Sequence, residues 1–477
     1  MTRLSFTPPA VIRWGLLASA VLAGTLMRLV VAGVQVPAQE SLAVTGITVI
    51  DVVDGRALPN QTVLIGGGRI TSISATQTTR VPAGAREIEG RGKFLIPGLI
   101  DTHIHLAATP DRDRLLALGP LLAHGVTGVR DAGAGGQDEW LVALRSRVAR
   151  GEVLSPRIYV SGMLSGRSVA RSALPDAAAL ARQLIDLGVD GLKIRDGLTR
   201  KAIAAVVQEG AKANRPVYGH TYDAVTRERD EIYTLEAIRD GVGGTMHIMG
   251  IPQLGSADRP PPPPGPRFGN DWQAWWVYYA SLWRHVDRTA EGALIDTMVA
   301  RGAWLEPTLI TEDWVVNADA YRDTWRERRL PGSFDTMHAG FPALVGPALQ
   351  QYREAFTRMK EFVRRFHGAG GVITAGTDCL PVCGYGLHDE LQLLVSAGLS
   401  PAAALRAATV NAARVLRWDD RLGRIAPGLV ADLVMLDGHP LEDIRHAGRV
   451  HAVISDGRYL DRGQLDALLA KASADRD

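Results

Sequence analysis

Cysteine is nearly absent from this chain. Two residues in 477, Cys379 and Cys383, are too few for a disulfide scaffold. Their spacing allows one small bridge in an oxidising compartment or two unpaired thiols, and a zinc-thiolate site would need two further ligands. Aromatic residues are scarce at 6% beside 46% hydrophobic, so the core must be largely aliphatic, and the composition is globular rather than fibrous or disordered. An excess of either charge is missing as well. Lys and Arg number 53 against 51 Asp and Glu, with no basic stripe, which gives nucleic acid no support as a partner. No G-x-G-x-x-G opens a helix after the first strand, which argues against a dinucleotide-binding sheet. Beyond the first forty residues no apolar run is long enough to span a bilayer.

Those first forty residues have a texture of their own. Arg3 and Arg13 precede an apolar run from Trp14 to Met27, Arg28 interrupts it, and a small-residue stretch follows at Val36-Pro37-Ala38. This is the pattern of an export signal cleaved near Ala38, or alternatively near Ala23. Uncleaved, residues 1–38 would form a membrane anchor, and a buried N-terminal helix is the plainer alternative. The expected location is therefore outside the cytoplasm, periplasmic or secreted.

From Val44 to Ile73 short β-branched runs alternate with turn residues, as in hairpins, and "GRIAPGLVADLVMLDGHP" and "RVHAVISDGRYL" near the C-terminus repeat the texture,. Residues 42–97 and 421–461 are expected to pair into one small β-sandwich, with 462–477 as a tail. Between them the rhythm is strand then helix, with strands expected at 95–105, 126–131, 157–163, 189–195, 216–220, 243–247, 303–308 and 372–378. Eight such units predict an α/β fold, a (β/α)8 barrel over residues 98–420. One segment breaks the rhythm: Pro260 to Pro264, then Trp272, Trp275, Trp276, Tyr278, Tyr279 and Trp283 at helical spacing. It reads as an excursion packed on the barrel, an aromatic lid being the alternative.

The residues that carry chemistry sit where the expected strands end. "LIPGLIDTHIHL" places His103 and His105 two apart, and in a strand residues i and i+2 face the same side,. Such a pair alone is a weak signal. It gains weight from Lys193 in "VDGLKIR", His220 in "PVYGH", His247 in "GTMHI" and Asp378 in "VITAGTD", each closing an apolar strand. Taken singly, His220 or His247 would be a core histidine and Lys193 a salt-bridge partner. As a set they form a ligand group for zinc or a neighbouring first-row metal. A lysine fits among cation ligands once it has lost its proton and taken up CO₂ as a bridging carbamate. His388, in "GLHDEL", is expected to cap a helix, substrate contact being the alternative.

With "GVTGVRDAG", "GLHDELQLLVSAGLSPAAALRAATVNAARVL" and "GRIAPGLVADLVMLDGHPLEDI" added, the chain resembles the amidohydrolase superfamily in its binuclear form. Within it the chain is similar to the imidazolonepropionase-like and prolidase-like branch, over about residues 44 to 460. The resemblance implies two divalent metal ions, with zinc expected. His103, His105 and Asp378 would hold one ion and His220 and His247 the other, with carboxylated Lys193 and a hydroxide bridging them. Asp378 would take the water's proton and pass it to the departing nitrogen. The implied activity is cleavage of an amide-type C–N bond in a small molecule: a cyclic amide, a dipeptide or an N-acyl amino acid. Arg167, Arg195 and Tyr222 are the expected substrate contacts. Tyr222 stands where the branch often has a histidine, and "SGMLSGRSV" lacks a Gly-Gly-His stretch common in relatives. Both departures fall where substrate is expected. Deamination or lactone or phosphoester hydrolysis on the same scaffold is the enzymatic alternative, against which Lys193 argues. An inactive binding protein is the other alternative, and the retention of all six ligands argues against it. Oligomeric state, a homo-oligomer included, stays open.

Overall fold

The computed structural model describes residues 40–106, 114–133, 136–221, 233–251, 272–321, 344–378 and 384–474. The N-terminal segment 1–38, the proline run 260–264, Tyr222, Cys379 and Cys383 lie outside the described residues. Among the described residues no helix is long and apolar enough to cross a membrane.

Five strands come first: β1 (Leu42–Asp51), β2 (Arg56–Gly66), β3 (Arg69–Ala75), β4 (Arg86–Glu89) and β5 (Phe94–Pro97). Eight more alternate with helices: β6 (Leu99–Ile104), β7 (Val126–Asp131), β8 (Arg157–Leu164), β9 (Gly191–Ile194), β10 (Val217–Gly219), β11 (Gly244–Met246), β12 (Trp304–Glu306) and β13 (Val372–Ile373). They lie in chain order in one parallel sheet. The sheet curls until its ends meet. The Thr102 N–H donates to Ala375 O at 3.0 Å and the Asp378 N–H to His103 O at 2.8 Å, so the chain after β13 pairs with β6. Every residue of β6, β7, β9, β10, β11 and β12 is buried, as expected of parallel strands covered on both faces.

The C-terminal strands β14 (Leu433–Leu436), β15 (Val450–Ser455) and β16 (Arg458–Leu460) return to the N-terminal ones. The junction is β14 antiparallel to β5, Leu433 opposite Pro97. The two segments do unite, though the sandwich expected of them is one hydrogen-bonded eight-stranded sheet, β16-β15-β14-β5-β1-β2-β3 with β4 beside β1. It folds over its own apolar core, which includes Val44, Val63, Ile65, Leu95, Leu433 and Ile454. The Ile70 N–H donates to Leu429 O, which brings the free edge of β3 back against the chain that leads into β14.

Two expectations need correction. The apolar run 95–105 is not one strand, because it breaks at Gly98 and β5 joins the small sheet while β6 begins the barrel. A Cβ on Gly98 would lie 1.9 Å from Thr127 Oγ1, so only glycine lets the two sheets meet this closely,. The C-terminal residues are a helix, Arg462–Ala474, rather than a tail. Leu465 and Ala472 are buried and Leu468 and Leu469 half-buried, one face at helical spacing that packs on the barrel helix Leu118–Ala123,.

Candidate active site at the strand ends

The C-terminal ends of the barrel strands converge on one cluster. His103 and His105 leave β6, Lys193 belongs to β9, His220 and His247 directly follow β10 and β11, and Asp378 ends the segment after β13. One ligand atom from each of His103, His105 and Asp378 fits within a 4.8 Å group. Asp378 Oδ1 lies 3.0 Å from His105 Nε2 and 3.4 Å from His103 Nε2, and Oδ2 lies 3.7 Å from His247 Nε2. Lys193 Nζ is 3.2 Å from His103 Nε2. The His220 ring meets the His247 ring edge-on, with centroids 4.9 Å apart. All six residues read from strand ends come together.

Local geometry aims each ring. His103 Nδ1–H donates to Glu306 Oε1 at 2.7 Å, His105 Nδ1–H to Gly133 O at 2.9 Å, and His247 Nδ1–H to Thr308 Oγ1 at 2.7 Å. The Thr308 hydroxyl already donates to Pro307 O, so it can only accept from His247. With each Nδ1 committed as a donor, a neutral ring turns the lone pair of its Nε2 toward Asp378. Three nitrogen lone pairs then face one carboxylate across 3.0–3.7 Å, an arrangement that a cation between them would satisfy. The donor set fits a divalent metal on this structure's own geometry.

Backbone strain concentrates in the same place. Asp378 (φ 49°), His247 (φ 63°) and Thr308 (φ 47°) all occupy the left-handed region, which costs a non-glycine residue about 1–3 kcal/mol. His220 is placed by Gly219, whose φ is 146° and whose Cβ would stand 2.1 Å from Ile194 O.

The electrostatics follow from burial. It depresses His103 well below the ordinary imidazole range and lowers His247 to about 4, so both rings are neutral at physiological pH. It also lowers Lys193 to about 7, opposed by the charge of Asp378.

Several supporting residues escape sequence reading. Glu306, at the end of β12, is fully buried and orients His103 while accepting from Arg130 Nη2 at 2.5 Å and from the Thr102 hydroxyl. Arg130 lies over the rings of Tyr218 and Trp304, 4.5 and 4.9 Å from their centroids. Asp101 accepts from the Thr377 hydroxyl at 2.7 Å and from the His103 N–H at 3.0 Å, tying the first and last barrel strands beneath the cluster. Among the residues expected at substrate, Arg195 directly follows β9, near enough for its charge to act on Lys193 and His247, and it pairs with Asp196 at 3.2 Å. Arg167 is exposed on the short helix Gly166–Arg171. His388 is buried, and its Nε2 donates at 2.9 Å to the carbonyl of His124, the residue that ends the helix Leu118–Ala123. It serves the C-terminal end of that neighbouring helix.

Comparison with known proteins decides the family, since the amidohydrolase family profile matches residues 94–460. The chain belongs to the amidohydrolase family. It is a hydrolase acting on carbon–nitrogen bonds. It is 27% identical to an imidazolonepropionase of Anaeromyxobacter sp. strain K, over 87% of this chain and 94% of that protein. It is 26% identical to adenine deaminase 2 of Rhizobium meliloti, over 91% of this chain but 59% of that longer protein. Matches of higher identity span 25% or less of the curated relatives concerned. Among solved structures, a prolidase complexed with N-methylphosphonate-L-proline superposes with a TM-score of 0.63 at 25% identity, covering 88% of this chain and all of that one.

Proposed function

We propose that this amidohydrolase cleaves an amide-type C–N bond in a small peptide-like substrate, a dipeptide, N-acyl amino acid or cyclic amide, at a two-metal site. The observation that carries the reading is the set of three histidine Nε2 atoms 3.0–3.7 Å from the Asp378 carboxylate, beside a buried lysine. His103, His105 and Asp378 would hold one divalent ion, His220 and His247 the other, and Lys193 would bridge them as its carbamate. When bound, such ions lower the pKa of water and polarise the substrate carbonyl.

The remaining work falls to the chain. Burial leaves part of the Lys193 population unprotonated near neutral pH. The free amine attacks the carbon of CO₂ and loses a proton, giving an anion with two oxygens. Asp378 accepts a proton from the attacking water and delivers it to the departing nitrogen, which would otherwise leave as an unstable anion. Glu306, Gly133 O and Thr308 keep the three rings in the tautomer that binds through Nε2. Arg195 supplies a cation beside the site for a substrate carboxylate.

The test is metal content per chain, by plasma emission, for wild type and Lys193→Ala, together with turnover of dipeptide, N-acyl amino acid and cyclic amide panels in bicarbonate. The expected result is two ions in wild type, fewer in the variant, and activity lost to chelators. Wild type free of metal under metal-replete conditions would sink the mechanism.

A further inference from the structure

Thr308 is an anomalous residue to find beside a ligand. It is β-branched, yet it sits at φ 47°, ψ 50°, where side-chain crowding is severe. It is also the N-cap of the helix Leu309–Val316 without capping it, because its hydroxyl is taken up by Pro307 O and His247 Nδ1. The first N–H groups of a helix have no partner inside the helix and need one from outside. Here it comes from another element. Glu390, fully buried on the helix Tyr385–Ser396, accepts at Oε2 from the Ile310 N–H at 2.8 Å, and the Leu309 N–H also bonds to its carboxyl. Its other oxygen, Oε1, has no hydrogen-bond partner among the described residues.

We propose that Glu390 is a positioning residue for His247, capping the helix Leu309–Val316 from the neighbouring helix and so locking Thr308 where its hydroxyl fixes the His247 ring. The chain of contacts is short: Glu390 to the 309 and 310 amides, the adjacent Thr308 in its left-handed conformation, Thr308 Oγ1 to His247 Nδ1. Without the cap the helix start relaxes, and Thr308 moves toward the extended region that β-branched residues favour. The hydroxyl then leaves His247 Nδ1, and the ring is free to turn or change tautomer. His103 and His105 are held from elsewhere, by Glu306 and Gly133 O, and keep their aim. The consequence is selective: loss of the cap weakens the ion held by His220 and His247 and spares the one held by His103, His105 and Asp378. Burial raises the Glu390 carboxyl to about 8, so at neutral pH it is mostly the uncharged acid, which a glutamine matches in shape and in its acceptor oxygen.

The inference rests on the proposed ligand role of His247, and the experiment separates the two. Zn²⁺ is titrated into metal-free wild type, Glu390→Met, Glu390→Gln and Thr308→Ala, competing with a chromophoric chelator, with melting of each metal-free chain recorded alongside. Methionine fills the space of Glu390 but accepts no hydrogen bond. In wild type two ions bind. In Glu390→Met and Thr308→Ala the weaker one is expected to lose roughly 10–100-fold in affinity, the range for lost outer partners of a ligand, while the tighter is unchanged. Glu390→Gln restores both. Joining the Met and Ala changes in one chain adds little to either, because they cut the same link. Two ions bound by Glu390→Met at wild-type affinity would overturn the inference and leave the site reading intact. So would equal weakening of both ions, or a Glu390→Met chain that fails to fold where Glu390→Gln folds, since Glu390 would then serve the barrel at large. Wild type that binds no zinc overturns the site reading itself.

Discussion

Glu306 would touch no metal and no substrate, yet three groups depend on it: His103, Arg130 and Thr102. Burial pushes its carboxyl up, while Arg130 and the Thr102 hydroxyl pull it down. Removing one member of a buried ion pair leaves the other desolvated and alone, at a cost of about 3–5 kcal/mol. Glu306→Ala is therefore expected to lower the urea midpoint by that much free energy and to loosen His103. The double variant Arg130→Met, Glu306→Leu, which strands neither charge, should lose less than the sum of the two single changes. Additive losses would mean that the pair is not the unit drawn here. This residue also marks how far the sequence reaches. The six cluster residues are legible because each closes its own apolar strand, a local signal. Glu306 closes a strand too, in "WLEPT", but its meaning lies in Arg130, 176 residues away, and in a histidine on β6, which only the closure of the barrel brings near β12. Only the curled sheet brings those three together. Glu390 is harder still to read, since its partners are backbone amides and carry no residue identity.

At the scale of elements, the eight barrel strands were readable because apolar runs recur at regular intervals with helical stretches between them. The misplaced boundaries have a physical cause. Hydrophobicity continues unbroken through Gly98, so nothing in the pattern says that Phe94–Pro97 bonds to one sheet and Leu99–Ile104 to another. At the C-terminus a four-residue apolar face at 465–472 was too sparse to stand out. The aromatic segment was legible in type, a helix at Trp272–Arg284, and its packing answers the choice between excursion and lid. Trp275, Tyr279 and Trp283 are buried in the main core, Trp283 Nε1 donates to Met249 O at 3.2 Å, and its ring meets Phe362 edge-on. A lid that opens would have to expose these rings. Trp283→Ala is therefore expected to destabilise the chain by about 3–5 kcal/mol, the usual cost of emptying a large aromatic site, with KM for a working substrate changed little at temperatures where the variant is folded. Unaltered stability with a raised KM would restore the lid.

Across the whole molecule, the two sheets are separate in hydrogen bonding but not in construction. The small sheet is completed by strands that arrive only after the barrel has been traversed, so its N-terminal half waits for β14 with the edge of β5 open. The seam between the sheets is polar as well as apolar. Arg157 on β8 reaches Asp432 at 2.8 Å and Asp456 at 2.5 Å, and the Gly98 N–H donates to Asp432 O at 2.7 Å. Residues Gln39–Asp477 accordingly form one compact unit. A chain cut after Asp420 would leave β5 unpaired on one side, strip the small core of Leu433, Met435, Ala452 and Ile454, and deprive Arg157 of both carboxylates. Exposed strand edges over an open apolar core are sites of aggregation. Residues 40–420 are thus expected to be insoluble under conditions where 40–477 is soluble, although 98–420 contains the whole barrel and every proposed ligand. In 40–477, urea unfolding followed by tryptophan fluorescence, which reports the barrel through Trp140, Trp304 and Trp418, should coincide with loss of hydrogen-exchange protection in β1 and β2. Two separated transitions, or a soluble 40–420, would show that the barrel folds alone and that the small sheet is an appendage.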